Sequence, residues 1–122
     1  MEYRRLGSSG LEVSPLCLGT MTFGDRTDAA ESRRIVDAAY SAGVNFIDTA
    51  DAYGNGVAEK IVGTAIKSDR RRWILATKVG NALTAKPHDG GLSRRWILQA
   101  CDDSLARLAT DYIDIYYLHK DD

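Results

Sequence analysis

The sequence predicts an α/β fold, a (β/α)8 TIM barrel of which these residues supply the N-terminal hairpin, the first four strands and three helices. Three observations predict it. Apolar runs of strand length (Leu16–Leu18, Val44–Ile47, Trp73–Thr77 and Tyr112–Leu118) alternate with stretches whose apolar residues recur at helical spacing. Polar residues follow the runs at their C-terminal ends: Asp48, Lys78 and His119, with Tyr53 in the loop after Asp48. Those four groups converge only if the strands lie side by side and parallel, joined by right-handed crossovers. Finally, neither a G-x-G-x-x-G turn nor a Walker-type loop follows the first strand, where Gly19-Thr20-Met21-Thr22-Phe23-Gly24 stands instead. A doubly wound sheet usually carries its glycine fingerprint there, whereas a barrel gathers its functional residues at the C-terminal strand ends.

Each element has a local reason. Residues 3–13 read as a hairpin, with Gly7-Ser8-Ser9-Gly10 as the turn; the βα units run from 16 to 119 and form one domain with it. Asp28, with Glu31 three residues on, opens the first helix as a capping-box-like start. Ile35, Val36, Ala39 and Ala42 form its apolar face and Gly43 its C-terminal stop. The second helix, Val57 to Lys67, buries Ala58, Ile61, Val62, Ala65 and Ile66. Arg70-Arg71-Arg72 reads as a solvated turn before the Trp73 strand. Ser93 caps the third helix, whose stripe is Ile97, Cys101, Leu105 and Leu108. By alternation, Ile74, Ala76 and Lys78 point into the barrel, as do Ile113, Ile115, Tyr117 and His119. Asp114 then faces the helix layer and needs a helix or backbone donor. Trp73, Trp96, Tyr112, Tyr116 and Tyr117 read as packing residues, and His88 as solvated.

The composition excludes several classes. Of the 122 residues 44% are hydrophobic and 27% charged, and 16 basic against 17 acidic side chains leave a net charge of -1. No charge block suggests nucleic acid, no apolar run reaches the roughly 18 residues of a membrane span, and the N-terminus lacks the apolar core of a signal peptide. Cys17 and Cys101, each inside an apolar pattern, read as buried small hydrophobes in a reducing compartment, so a cytoplasmic location is the default expectation. With two histidines and no His-x-His pair, a metal-dependent hydrolase is disfavoured. A complete barrel needs about 250 residues. The expectation is therefore a part of a longer chain, completed by the missing second half of the barrel or by self-association.

Taken singly, each polar residue has a plainer role: a solvated strand-end lysine, a packing tyrosine, a satisfied core histidine, a capping aspartate. Together and in order they resemble the aldo-keto reductase family. The resemblance rests on Arg5-Leu6-Gly7-Ser8-Ser9-Gly10-Leu11-Glu12-Val13-Ser14, Leu18-Gly19-Thr20-Met21-Thr22-Phe23-Gly24, Asn45-Phe46-Ile47-Asp48-Thr49-Ala50-Asp51-Ala52-Tyr53-Gly54, Ala76-Thr77-Lys78-Val79-Gly80 and the segment Ser104 to Ile115. It implies a barrel plugged by an N-terminal hairpin and the reduction of aldehydes and ketones with NADP(H). It also implies a tetrad of Asp48, Tyr53, Lys78 and His119.

The residue types suit that chemistry. Reducing a carbonyl requires a proton for the developing alkoxide, and a phenol beside an ammonium is a tunable donor. Tyr53 is the expected proton donor, Lys78 its tuning partner, Asp48 the anchor of Lys78, and His119 the group that orients the carbonyl oxygen. The resemblance places Gly19, Thr20, Met21 and Asp48 near the nicotinamide. Phe23, Val79 and Lys120 are the candidate pocket wall for a small-molecule carbonyl substrate. Two other readings stand beside this one: a cofactor-binding auxiliary or regulatory subunit on the same fold, and a truncated chain inactive on its own.

Overall fold

The computed structural model describes residues 1–121. A short antiparallel hairpin comes first, β1 (Arg4–Arg5) paired with β2 (Glu12–Val13). Then follow β3 (Leu18–Gly19), α1 (Ala29–Ser41), β4 (Phe46–Asp48), α2 (Val57–Ile66), β5 (Ile74–Val79), α3 (Arg94–Leu108) and β6 (Ile115–Leu118). Strands β3 to β6 form one parallel sheet whose spatial order is the order of the chain. The order does not reverse among the described strands, as it would at the switch point of a doubly wound sheet. The hairpin is held at the entry to β4: Tyr3 donates to the Gly43 carbonyl at 2.7 Å and the Asn45 amide donates to Glu12 O at 2.9 Å.

The helices start and stop where their caps dictate. Asp28 accepts from the Glu31 N–H at 2.8 Å and Ser93 from the Trp96 N–H at 3.1 Å. Gly43 follows α1 with a φ of 94°, a conformation without cost only for glycine. The Glu31 side chain pairs with Arg34 along the helix, so the cap is the one-sided form. The core lies between the sheet and the helices, with Ile47, Leu75, Val36, Val62, Ile66, Trp73 and Leu108 at its centre and Val79, Trp96 and Ala100 in a second cluster. Helices α2 and α3 approach most closely at Gly63, where an added Cβ would stand 2.3 Å from the Leu108 carbonyl oxygen.

Several expectations need correction. The buried face of α3 is Trp96, Ala100, Ser104 and Leu108, rotated by one residue from the larger side chains Ile97, Cys101 and Leu105. Ala100 and Ser104 are small enough for close packing, and Ser104 also serves Arg107. The arginine run is not a solvated turn. Arg70 donates to Thr110, Trp73 O, Tyr112 O and Asp114 and stacks 3.9 Å over the Tyr112 ring; Arg72 lies 3.7 Å over Tyr40. Only Arg71 of the three is exposed. Asp114 obtains both partners at once, the Leu75 N–H at 2.8 Å and Arg70 at 3.2 Å. Ile113 packs on the helix side, because the strand's alternation begins only at Ile115. Tyr112 and Tyr117 are exposed, as is Cys17, whereas Cys101 is half-buried. Strand period alone does not tell the covered face of a sheet from the open one.

Candidate active site

The site is built where β4 and β5 end. Asp48 is the last residue of β4 and faces Ala76 across the ladder. The Thr49 N–H extends the pairing one residue further, donating to Ala76 O at 2.9 Å. Two residues beyond Ala76, on the same face of β5, stands Lys78. The loop from β4 then turns back through three successive left-handed residues, Gly54 (φ 56°), Asn55 (φ 53°) and Gly56 (φ 93°). Tyr53 stands just ahead of that reversal, near enough to the strand ends for its hydroxyl to meet Lys78. Gly54 is needed for space as well as for its φ, since a Cβ there would lie 3.1 Å from Phe23 O.

Lys78 is the centre of the arrangement. Its Nζ donates to Asp48 Oδ2 at 2.6 Å, to Thr49 O at 2.8 Å and to the Tyr53 hydroxyl at 3.0 Å. An ammonium has three N–H donors, and all three are used. Burial works against the charge, but the hydrogen bonds to Asp48 and Tyr53 outweigh it and raise the Lys78 pKa. Because the phenol oxygen accepts from Lys78, the proton of the phenol is left to point elsewhere. The His119 ring stands edge-on to the Tyr53 ring, 6.0 Å between centroids. Burial and then the Lys78 charge lower the His119 pKa from 6.5, which favours the neutral imidazole. Asn81 Nδ2 lies 3.4 Å from His119 Nδ1. With the amide donating, Nδ1 is the acceptor and Nε2 carries the hydrogen.

A cavity of about 580 Å³ opens over these groups, lined by Cys17, Gly19, Phe46, Asp48, Lys78, Tyr117, Leu118 and His119. The expected tetrad is thus brought together. Gly19 lies on the cavity floor. Thr20 is buried and donates to Asp48 O at 2.9 Å, which spends its hydroxyl on the strand end. Met21 is 62% exposed and lies outside the lining. The expected pocket wall is not found. Phe23 is buried in the helix-side core, and Val79 points to Trp96 because it is odd-numbered against Lys78 on the same strand. Lys120 lines a separate basin with Lys86 and His88. Cys17, Phe46, Tyr117 and Asn81 stand in or beside the site unforeseen; Tyr117 alone was placed on this face by alternation.

On the other side of the sheet lies a second polar group that the sequence reading missed. Thr77, next to Lys78 but facing the helices, donates to Glu59 Oε2 at 2.7 Å, and Arg107 Nε donates to Glu59 Oε1 at 2.7 Å. Glu59 is wholly buried. Asp51 is buried beside it, and burial together with the Glu59 charge pushes its carboxyl up to about 6. The signal available in the sequence was Glu59 itself, a charge in the buried quarter of an otherwise apolar helix face.

Comparison with known proteins accords with this geometry. Residues 15–122 match the model of the Aldo/keto reductase family. All of this chain aligns at 41% identity with 38% of a probable voltage-gated potassium channel subunit beta of Arabidopsis thaliana. An uncharacterized oxidoreductase of Bacillus subtilis, YqkF, is 44% identical over 98% of this chain and 39% of its own length. A 6-dehydroglucose reductase of Novosphingobium aromaticivorans is 40% identical, over 98% of this chain and 42% of its own. Among solved structures, the holo form of aldo-keto reductase AKR11C1 from Bacillus halodurans superposes with a TM-score of 0.86 at 47% identity, covering 97% of this chain and 40% of that one. The chain therefore spans about two fifths of the length of the relatives it matches, and its fold is that of the N-terminal part of their barrel.

Proposed function

The chain belongs to the aldo-keto reductase family, and on that premise we propose that the protein reduces aldehydes or ketones to alcohols with NADP(H), Tyr53 acting as general acid. The observation that carries this reading is the hydrogen bond from Lys78 to the Tyr53 oxygen at 3.0 Å. A phenol that accepts from an ammonium is stabilised as it loses its own proton. Asp48 keeps the ammonium in place, and removing it would leave a partly buried charge without its counter-ion. His119, neutral and carrying hydrogen on Nε2, is suited to hold the carbonyl oxygen within reach of Tyr53.

The donor set fits the reacting end of a nicotinamide. Gly19 offers a floor where an added Cβ would meet nothing within 4 Å, and Asp48, Lys78 and His119 border the same cavity. Gly19, Asp48 and the neighbouring Thr20 and Met21 would hold that end of the cofactor. When bound, a reduced nicotinamide supplies the hydride. The chain's own task is then the proton: Tyr53 releases it to the oxygen as negative charge develops there, and Lys78 compensates the phenolate left behind. The free, separate thiols suit a reducing, cytoplasmic setting. Completion of the barrel by further chain, or by a second copy, belongs to the same proposal.

The test is Tyr53→Phe in the barrel-length protein. Turnover of an aldehyde falls about 10²–10⁴-fold while NADPH still quenches tryptophan fluorescence. Unchanged kcat would sink the assignment of Tyr53. The match to channel beta subunits favours a second reading, a cofactor-binding auxiliary subunit. Tight NADPH binding with no turnover of any aldehyde offered would select it.

A further inference from the structure

The Tyr53 loop has little to hold it from within. Its own backbone hydrogen bonds, Tyr53 N to Ala50 O and Asn55 N to Ala52 O, are both 3.3 Å long, and three left-handed residues follow the tyrosine in succession. Beyond the Lys78 hydrogen bond to Tyr53 and the packing of Tyr53 on the core, what fixes the loop is the helix it leads into. Glu59 lies in the first turn of α2, six residues after Tyr53, and its single carboxylate joins three elements: Thr77 on β5, Arg107 on α3, and α2 itself. Arg107 also covers the loop's exit. A Cβ at Gly56 would stand 2.9 Å from Arg107 Cδ. Thr77 is the residue before Lys78. The one buried carboxylate therefore connects the strand that carries the lysine to the turn that carries the phenol, from behind the sheet.

We propose that the Thr77–Glu59–Arg107 chain is a positioning device for the Tyr53–Lys78 pair, Glu59 and Thr77 acting through the backbone to set the distance across which the phenol accepts from the ammonium. The role rests on the reductase reading of the open face. A fully buried carboxylate is a poor choice for stability alone, since apolar residues of similar volume are often as good or better there. Its value lies in direction. One hydrogen bond on each oxygen of the carboxylate ties α2 to β5 through Thr77 and to α3 through Arg107, a relation that apolar packing specifies less sharply.

Thr77→Val is the decisive variant, because it keeps the shape of the side chain and removes the hydroxyl. In the barrel-length protein at 25 °C it lowers kcat about tenfold, with KM for NADPH and for the aldehyde within twofold of the parent. Thr77→Ser, which restores the hydroxyl, returns kcat to within twofold. With fluorotyrosine incorporated, the fluorine resonance of Tyr53, assigned by its loss in Tyr53→Phe, shifts or broadens in Thr77→Val and recovers in Thr77→Ser. A merely structural brace would lower the unfolding midpoint of Thr77→Val and leave kcat and that resonance unmoved, and this result overturns the proposal. Should Thr77→Val not fold, Glu59→Gln serves: it keeps volume and weakens the hold on Arg107, and parental kcat with an unmoved resonance overturns the proposal equally. If the parent reduces no carbonyl, the reductase reading fails, while the resonance still decides whether the device sets Tyr53.

Discussion

Thr77 and Lys78 are consecutive on one strand, and the two faces they serve differ in one respect. On the open face the Lys78–Asp48 pair has a third ionisable group, Tyr53, in its reach and free space beyond it. The Arg107–Glu59 pair on the covered face also has an ionisable neighbour, the buried Asp51, but it is closed off by a hydroxyl donor, Thr77, and by packed helices. Two ion pairs of similar length thus serve different ends. A pair that borders a cavity and touches a phenol is open to a ligand; a pair enclosed by packed helices acts on the site through the elements it joins. Charge content is no guide to function here, but access to open space is.

The comparison breaks most sharply at its two centres. Tyr53→Phe costs turnover by orders of magnitude, and thermal unfolding should place it close to the parent. Glu59→Ala adds a large loss of stability to whatever it costs in turnover. It leaves Arg107 without its counter-ion and opens a gap, costing about 3 kcal/mol in urea unfolding, the lower end for a broken buried pair because the Arg107 side chain keeps 21% exposure. Equal stability of Glu59→Ala and the parent would remove the distinction between the faces.

Asp51 sharpens the picture through pH. Its carboxyl is raised to about 6 by burial and by Glu59. The proton it holds therefore stabilises the fold fully below its unfolded value near 3.9, and that stabilisation is lost as pH rises through 6. Asp51→Asn removes the loss. Its unfolding free energy should match the parent at pH 4 and exceed it by about 2–3 kcal/mol at pH 8, at 1.36 kcal/mol per unit. A constant difference between the two pH values would show that the covered face does not feel this charge. The smallest effect lies away from both faces. Asp28→Ala loses the exposed α1 cap and about 1 kcal/mol, with kcat unchanged.

The open face was legible in the sequence because its residues sit at strand ends, where a polar side chain after an apolar run is conspicuous. Asp48, Lys78 and His119 were found in that way, and the strand order followed from the alternation of elements. The covered face was legible only in Glu59, a charge on an apolar helix face, and not in its partners. Glu59 and Arg107 sit on helices, where a charged residue is ordinarily solvent-facing, and nothing local tells that α2 and α3 turn them towards each other. The same limit misplaced the α3 stripe: the larger residues Ile97 and Leu105 outweigh Ala100 and Ser104 in any periodicity, yet the small ones allow the closer contact. Phe23 and Val79, expected in the pocket wall, are sent to the other layer by side-chain direction.

That the sheet is laid down in chain order also fixes how the molecule is assembled. Each strand from β4 to β6 pairs with the one made just before it, so a chain growing from its N-terminus never waits for a strand yet to be synthesised. The Asp48–Lys78 pair closes over 30 residues and the Glu59–Arg107 pair over 48. In chain order the Asp48–Lys78 pair is complete while Glu59 still lacks its cation, and both α3 and the strand carrying His119 come later. Until Arg107 is in place, Thr77 is the one partner in the preceding chain that donates a side-chain hydrogen bond to the Glu59 carboxylate among the described residues.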